Sequence, residues 1–216
     1  MTSFSTTPAP LTLQSLPLFP LSTVLYPGGL LPLRVFEVRY LDMARKCHAA
    51  GAPFGVVALT AGSEVRLPGA AAESFHGVGT LATIVHLESP RPGLLLMRCE
   101  GSQRFRITGR QQLPHGLWVA DVERIGDDAA VPVPADLQPV ADTLARVLDA
   151  VAQRHPDVPA PTGPRRFDDC GWVANRWCEL LPLPLALKQQ FMQLDNPLVR
   201  LELVGDVLER TGIGRA

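Results

Sequence analysis

Leu16-Pro-Leu-Phe-Pro-Leu21, followed by Tyr26-Pro-Gly-Gly29 and then Leu33-Arg-Val-Phe-Glu-Val-Arg-Tyr40, is the stretch that decides the fold. It reads as a short buried strand, a tight turn, a second strand and the start of a helix. Pro27 and Gly28 occupy the second and third places of the turn. A type II turn suits them, because proline presets φ at the second place and the third needs φ > 0. Phe36 and Tyr40 are four residues apart at the opening of the helix, so they share one of its faces.

Working outward, Tyr40, Leu41, Ala44 and Cys47 recur at helical spacing as far as Gly51, which supplies a stop. Pro53 to Leu59 is a continuous apolar run, a buried strand. Ala61 to Ser74 is rich in glycine and alanine and reads as a mobile loop, and Gly77 to Leu87 as another strand. Leu94 to Glu100 and Arg104 to Gly109 flank Gly101-Ser-Gln103, which predicts a hairpin with a three-residue turn. That register sets Cys99 opposite Phe105 and Glu100 opposite Arg104. Leu117 to Ile125 makes a last strand. Six or so strands with one inserted helix predict a small closed or half-closed barrel.

The second half is helical. Leu137, Val140, Ala141, Leu144, Val147, Leu148 and Val151 hold one apolar stripe. Arg154 to Phe167 carries four prolines and reads as a connector. Asp168 or Asp169 caps the next helix, Pro182 and Pro184 separate it from another, and Asn196-Pro197 opens the last, which Gly212 ends. The expected fold class is α+β: a β pseudo-barrel with an inserted helix, then a C-terminal helical bundle. The expected boundaries are a flexible tail over 1–14, the barrel over 15–126, a linker over 127–136 and the bundle over 137–212.

Taken together, the opening resembles that of the Lon protease amino-terminal, or Lon substrate-binding, domain family. Leu16 to Met43 follows its pattern, with Tyr26 where the family usually has Phe and Val38 where Pro is common. Phe54-Gly-Val-Val57, Gly77-x-Gly79-Thr80, Gly101-x-x-Arg104-Phe105, Val173 to Pro182, Leu187 to Asp195 and Arg200-Leu-Glu-Leu203 extend the likeness to about Leu208. The resemblance implies a barrel of the PUA-like kind and a polypeptide-recognising module. In the full protease this module precedes an ATPase and a Ser–Lys proteolytic module, so the chain is expected to be a stand-alone domain without them.

The 216 residues are 46% hydrophobic and 19% charged with net charge −1, a globular composition that calls for neither nucleic acid nor an anionic membrane. The first fifteen residues lack the basic and apolar regions of a signal peptide, and no run is long enough to span a bilayer. A cytoplasmic location is expected. Cys47, Cys99, Cys170 and Cys178 form no CxxC pair; Cys47 and Cys99 sit in apolar patterns as packed, reduced thiols. The five histidines share no ligand spacing, so no metal and no cofactor are expected.

Catalytic signatures are missing as well. Lys46 follows Arg45 and Lys188 follows Leu187, so neither stands in a Gly-Lys-Ser/Thr phosphate loop. No Ser-Ala-Gly, G-x-S-x-G or H-E-x-x-H occurs. No catalytic residue is assigned, and an enzymatic reading would rest on modules this sequence lacks.

The favoured function is binding of unfolded or exposed apolar polypeptide segments, as a client-binding, regulatory or adaptor module in protein quality control. Whether a protease is among the partners, and whether a second copy covers the same surface, stay open. Tyr26, Pro27, Gly28, Gly29, Leu30, Leu31, Phe36 and Tyr40 are the candidate lining, with Leu30 and Leu31 the exposed apolar pair. Phe36 and Tyr40 fit core packing equally well. Glu37 and Arg39 are expected to form an ionic tie between the two halves. The alternative reading is RNA binding through a basic strip of Arg104, Arg106 and Arg110. It ranks lower because Glu88, Glu100 and Glu123 dilute the charge.

Overall fold

The computed structural model describes residues 12–65, 73–155 and 163–213. The chain opens with β1 (Thr12–Leu21), β2 (Leu30–Val35), α1 (Val38–Ala50) and β3 (Phe54–Ala61). Four strands follow: β4 (Ser74–Phe75), β5 (Val78–Arg91), β6 (Leu94–Gln112) and β7 (Trp118–Arg124). The second half is α2 (Gln138–Arg154), α3 (Cys170–Leu180), α4 (Leu185–Gln193) and α5 (Pro197–Thr211).

Strands β1, β7, β6, β5 and β3 pair in that order, and a parallel pairing of β1 with β3 closes the ring. β2 branches from β6 and β4 from β3. The structure is therefore the α+β arrangement expected: a closed small barrel with α1 inserted between strands, then four helices. β1 starts at Thr12, inside the segment expected to be a tail, because Leu13 pairs with Val122 and packs on the barrel interior. The rest of that tail, most of the connector's prolines, and part of the loop expected over 61–74 lie outside the described residues.

The opening turn forms as its residues dictate. Gly28 has φ 71° and the Gly29 amide donates to the Tyr26 carbonyl at 3.0 Å. The turn docks against β6: the Gly28 amide donates to the Gly101 carbonyl at 2.8 Å, and the Gly101 amide to that of Gly29 at 2.9 Å.

That docking explains why the hairpin expected around Gly101-Ser-Gln103 does not exist. Leu94 to Gln112 is one continuous bent strand, and a Cβ on Gly101 would lie 2.4 Å from the Tyr26 carbonyl oxygen. Gly101 is there for close approach of two backbones. The ladder to β5 shifts register between Thr80–Arg104 and Ala82–Gly101, which places a bulge at Ser102 and Gln103. Cys99 accordingly faces Leu31 and Ile84, and Phe105 faces Gly79. The real hairpin is β5–β6, turning at Pro92-Gly93 with Arg91 opposite Leu94.

Among the described residues there are three apolar clusters. One lies between α1 and the sheet, around Phe19, Tyr40, Met43, Phe54 and Met97. A second fills the barrel around Leu18, Phe75 and Phe105. The third holds α2 to α5 together around Leu144, Val173, Trp177 and Leu201, and it reaches the barrel through Tyr26, Ala58 and Val78. Asp169 caps α3 through the Trp172 amide, and Asn196 caps α5 through the amides of Leu198 and Val199. All four cysteines are free and buried, and burial pushes the Cys99 thiol up to about 12.

Candidate functional site

Two clefts bear on function, and they have opposite chemistry. The first lies where barrel and helices meet. It encloses about 270 Å³ and is lined by Pro27 and Gly28 of the opening turn, Arg104 of β6, Asp127, Asp128, Arg166, Asp169, Trp172 and Asn175. Its floor is a network of buried charges. Asp128 accepts from Arg104 Nη2 at 3.0 Å and from both terminal nitrogens of Arg200. Arg104 also donates to the carbonyls of Met192 and Leu194 at 3.0 and 3.1 Å. Arg200 bonds the Phe191 carbonyl and Asn175 Oδ1, each at 3.0 Å, and the Leu194 carbonyl. Two guanidiniums with 4% and 1% of their side chains exposed thus share one carboxylate. Such a junction is built for holding parts together.

The same junction is reinforced from the opening turn. Arg176 of α3, itself buried, donates to the carbonyls of Pro27 and Gly28, and pairs with Glu179 at 2.8 Å. The Tyr26 hydroxyl donates to the Lys188 carbonyl at 2.7 Å, and Gln189 Nε2 to the Val78 carbonyl at 3.0 Å.

Burial pushes the Glu179 carboxyl up to about 7, only partly offset by Arg176 and Lys188. Its folded-state value lies above the ordinary 4.5, so the native chain holds a proton that the unfolded chain releases between those limits. Stability contributed here is present below about pH 4.5 and declines as pH rises to about 7. Glu179→Gln should flatten that decline relative to wild type, read from urea midpoints at pH 5 and pH 7.5. Parallel pH profiles in the two proteins would show that the carboxyl does not titrate in this range.

The second cleft, about 430 Å³, runs along two turns of α1 and is largely apolar. Val38, Met43 and Cys47 of the helix face Pro17, Leu113 and Leu117, with Arg39, Asp42, Lys46 and His115 completing it. Val38 is 73% exposed, and Phe36, two residues before it, is 54% exposed. These are the two most exposed large apolar side chains among the described residues. Val38 lines the cleft at the helix start, and Phe36 is left in water just before it.

The sequence candidates divide between these places and the core. Pro27 and Gly28 reach the polar junction cleft, and Gly29 is buried against Glu179. Tyr26 and Tyr40 are 0% and 2% exposed, Tyr40 packing edge-on to Phe19. Leu30 and Leu31 are half-buried residues of β2, paired with Glu100 and Cys99, and not a free loop. Phe36 alone of the eight is exposed.

Glu37 and Arg39, expected to tie the two halves, make their bonds within the strand half. Arg39 donates to Glu37 at 3.2 Å, to Glu73 at 2.7 Å and to the Gly116 carbonyl at 2.8 Å. The tie between halves is made by Asp128, Arg104, Arg176 and Arg200 instead. Nor do the three arginines of the expected strip form one open basic surface, although Arg104 and Arg106 lie on the same face of β6. Arg104 is buried, Arg106 is exposed, and Arg110 lies over the rings of Phe75 and Trp118. Sequence reasoning missed Val38, whose exposure is concealed by its apolar type, and Lys46 and His115, which carry no motif. Among the described residues no three His, Cys, Asp or Glu side chains gather as a metal site, and no helix is long and apolar enough to cross a membrane.

The comparisons agree with this architecture. A crystal structure of a Lon N-terminal domain protein from Xanthomonas campestris is 32% identical, with a TM-score of 0.69 over 89% of this chain and 97% of that one. The N-terminal domain of Lon protease from the Mycobacterium avium complex shares the fold at 18% identity, with a TM-score of 0.57 and the same coverage. The chain matches no curated protein. Residues 15–210, nearly all of the sequence, fit the family described as the ATP-dependent protease La (LON) substrate-binding domain, and the chain belongs to that family.

Proposed function

We propose that this chain is a non-catalytic polypeptide-binding module whose client surface is the apolar cleft beside α1. The family description, a substrate-binding domain of an ATP-dependent protease, supports the substrate class. One observation carries the location: Val38, 73% exposed, stands at an apolar cleft of about 430 Å³. Exposed apolar segments of unfolded chains gain roughly 25 cal/mol per Å² of apolar surface withdrawn from water, and such a cleft offers that surface on both walls. The polar junction cleft offers no comparable gain. The role is client capture or adaptor work in protein quality control, in the cytoplasm, with a protease as one candidate partner.

Val38→Asp places a charge in the binding surface without disturbing the core. It is expected to weaken binding of a reduced, alkylated unfolded protein about tenfold or more, at unchanged melting temperature. Phe36→Asp should act in the same direction. Equal affinity in wild type and both variants would remove this surface from the proposal. Short single-stranded RNA serves as the second ligand: binding to it that falls steeply between 50 and 200 mM salt would favour the nucleic-acid reading instead.

A further inference from the structure

We infer that the α1 cleft selects among apolar segments by charge, preferring those that carry a carboxylate at one end, with Lys46 as its partner. This rests on the client-surface reading above. Val38, Arg39, Asp42, Met43, Lys46 and Cys47 all come from one face of α1, so the cleft has a direction, and its two ends differ.

At the amino-terminal end sits Arg39, 6% exposed, with its charge already offset by Glu37 and Glu73. Its Nε and Nη1 are committed to those carboxylates and the Gly116 carbonyl, while Nη2 has no hydrogen-bond partner. That nitrogen is buried, so Arg39 presents no free donor to a segment lying in the cleft. With two carboxylates beside it, this end of the cleft has no net positive charge to draw an anion.

At the other end sits Lys46, exposed and in no ion pair among the described residues. The acid of the lining, Asp42, pairs with Arg45 at 3.5 Å and so does little to offset Lys46. His115, across the cleft, adds a ring N–H donor on the opposite wall. Seven residues of helix separate Arg39 from Lys46, about 10 Å of rise, which three residues of extended chain span. The complementary ligand is therefore a short extended apolar segment, uncharged at the Arg39 end and with a carboxylate about three residues away at Lys46. An acidic side chain and a chain terminus supply the same chemistry.

The test is fluorescence anisotropy with labelled peptides that share one apolar core. Four versions end in Glu with an amide, in Lys with an amide, in a neutral amide, or in a neutral residue with a free carboxylate. Wild type should bind the Glu peptide about tenfold more tightly than the Lys peptide, and Lys46→Glu should invert that order. The free-carboxylate peptide against its amide shows whether a chain terminus serves as well as a side chain. Equal binding of the Glu and Lys peptides to wild type, or a preference that survives in Lys46→Glu, would overturn the inference. The neutral peptide separates the two claims. If Val38→Asp weakens it while wild type shows no charge order, the client surface stands and the selectivity falls. If Val38→Asp leaves it untouched, the client surface itself falls.

Discussion

Asp128→Ala is expected to lower the free energy of unfolding by about 3–5 kcal/mol, most of the margin of an ordinary domain. The reason is what it leaves behind. Arg104 and Arg200 are 4% and 1% exposed in their side chains, and Asp128 is the carboxylate bonded to both. Arg104 has a second acid at 3.4 Å, Asp195, but that side chain is 81% exposed and well screened. The carbonyl acceptors from α4 and the segment after it remain, so the guanidiniums keep hydrogen bonds but lose their counter-charge. Asp128→Asn, which preserves shape and one acceptor oxygen, should cost less than Asp128→Ala. Urea unfolding of the three proteins measures both differences. A loss under about 1 kcal/mol in Asp128→Ala would mean that the carbonyls alone hold the two arginines, and that the junction does not depend on charge.

This junction is also where the sequence was least legible. Asp127-Asp128 reads as a solvated linker, and nothing local marks one of the pair as the hub of a buried network. Arg104 and Arg106 are two apart on a strand, which puts them on one face by simple alternation. They do share that face, since the ladder is unbroken from Arg104 to Arg106, but the helical half packs over it and buries Arg104 against Met192, Leu194 and Asp128. Gly101, read as a turn residue, is the contact point of two backbones, and only the paired opening turn reveals it. By contrast, signals acting over a few residues were read correctly. Pro27-Gly28 makes the turn, Asp169 and Asn196-Pro197 cap their helices, and Gly51 and Gly212 end theirs with φ of 59° and 67°. Long-range placement of a charged side chain depends on register and burial, and a single sequence carries neither.

The functional surface shows the same division. Apolar type and helix position were visible for Phe36 and Tyr40, yet Phe36 is exposed and Tyr40 is core, although they lie four apart. Phe36 precedes the helix, which starts at Val38 with Glu37 as its N-cap, so the i, i+4 argument does not apply to it. Val38 stands at the first helical position and is exposed, while Tyr40, Leu41, Met43 and Ala44 of the following turns are buried.

Phe105→Ala should likewise cost about 3–5 kcal/mol, and a neighbouring glycine makes the cause testable. The Phe105 ring is fully buried in the barrel among Leu16, Leu18, Val57 and Leu81. A Cβ on Gly55 would lie 2.7 Å from its Cζ and 2.7 Å from Leu18 Cδ2, so the missing side chain is the space the ring occupies. Gly55→Ala alone is then overpacking and should cost about 1–3 kcal/mol. With Phe105 cut back to alanine, the added methyl meets only the flexible end of Leu18, and its cost should shrink. The double variant is therefore expected to be more stable than the sum of the single losses, with a coupling of about 1–2 kcal/mol. Urea midpoints of the four proteins close the cycle. Strict additivity would show that Gly55 is needed for its backbone and not for the ring. Gly79 supplies the contrast, because its added Cβ would meet the Val56 carbonyl oxygen at 2.3 Å as well as the ring. Gly79→Ala should stay destabilising whether or not Phe105 is present, since a backbone atom cannot vacate the site as a side chain can.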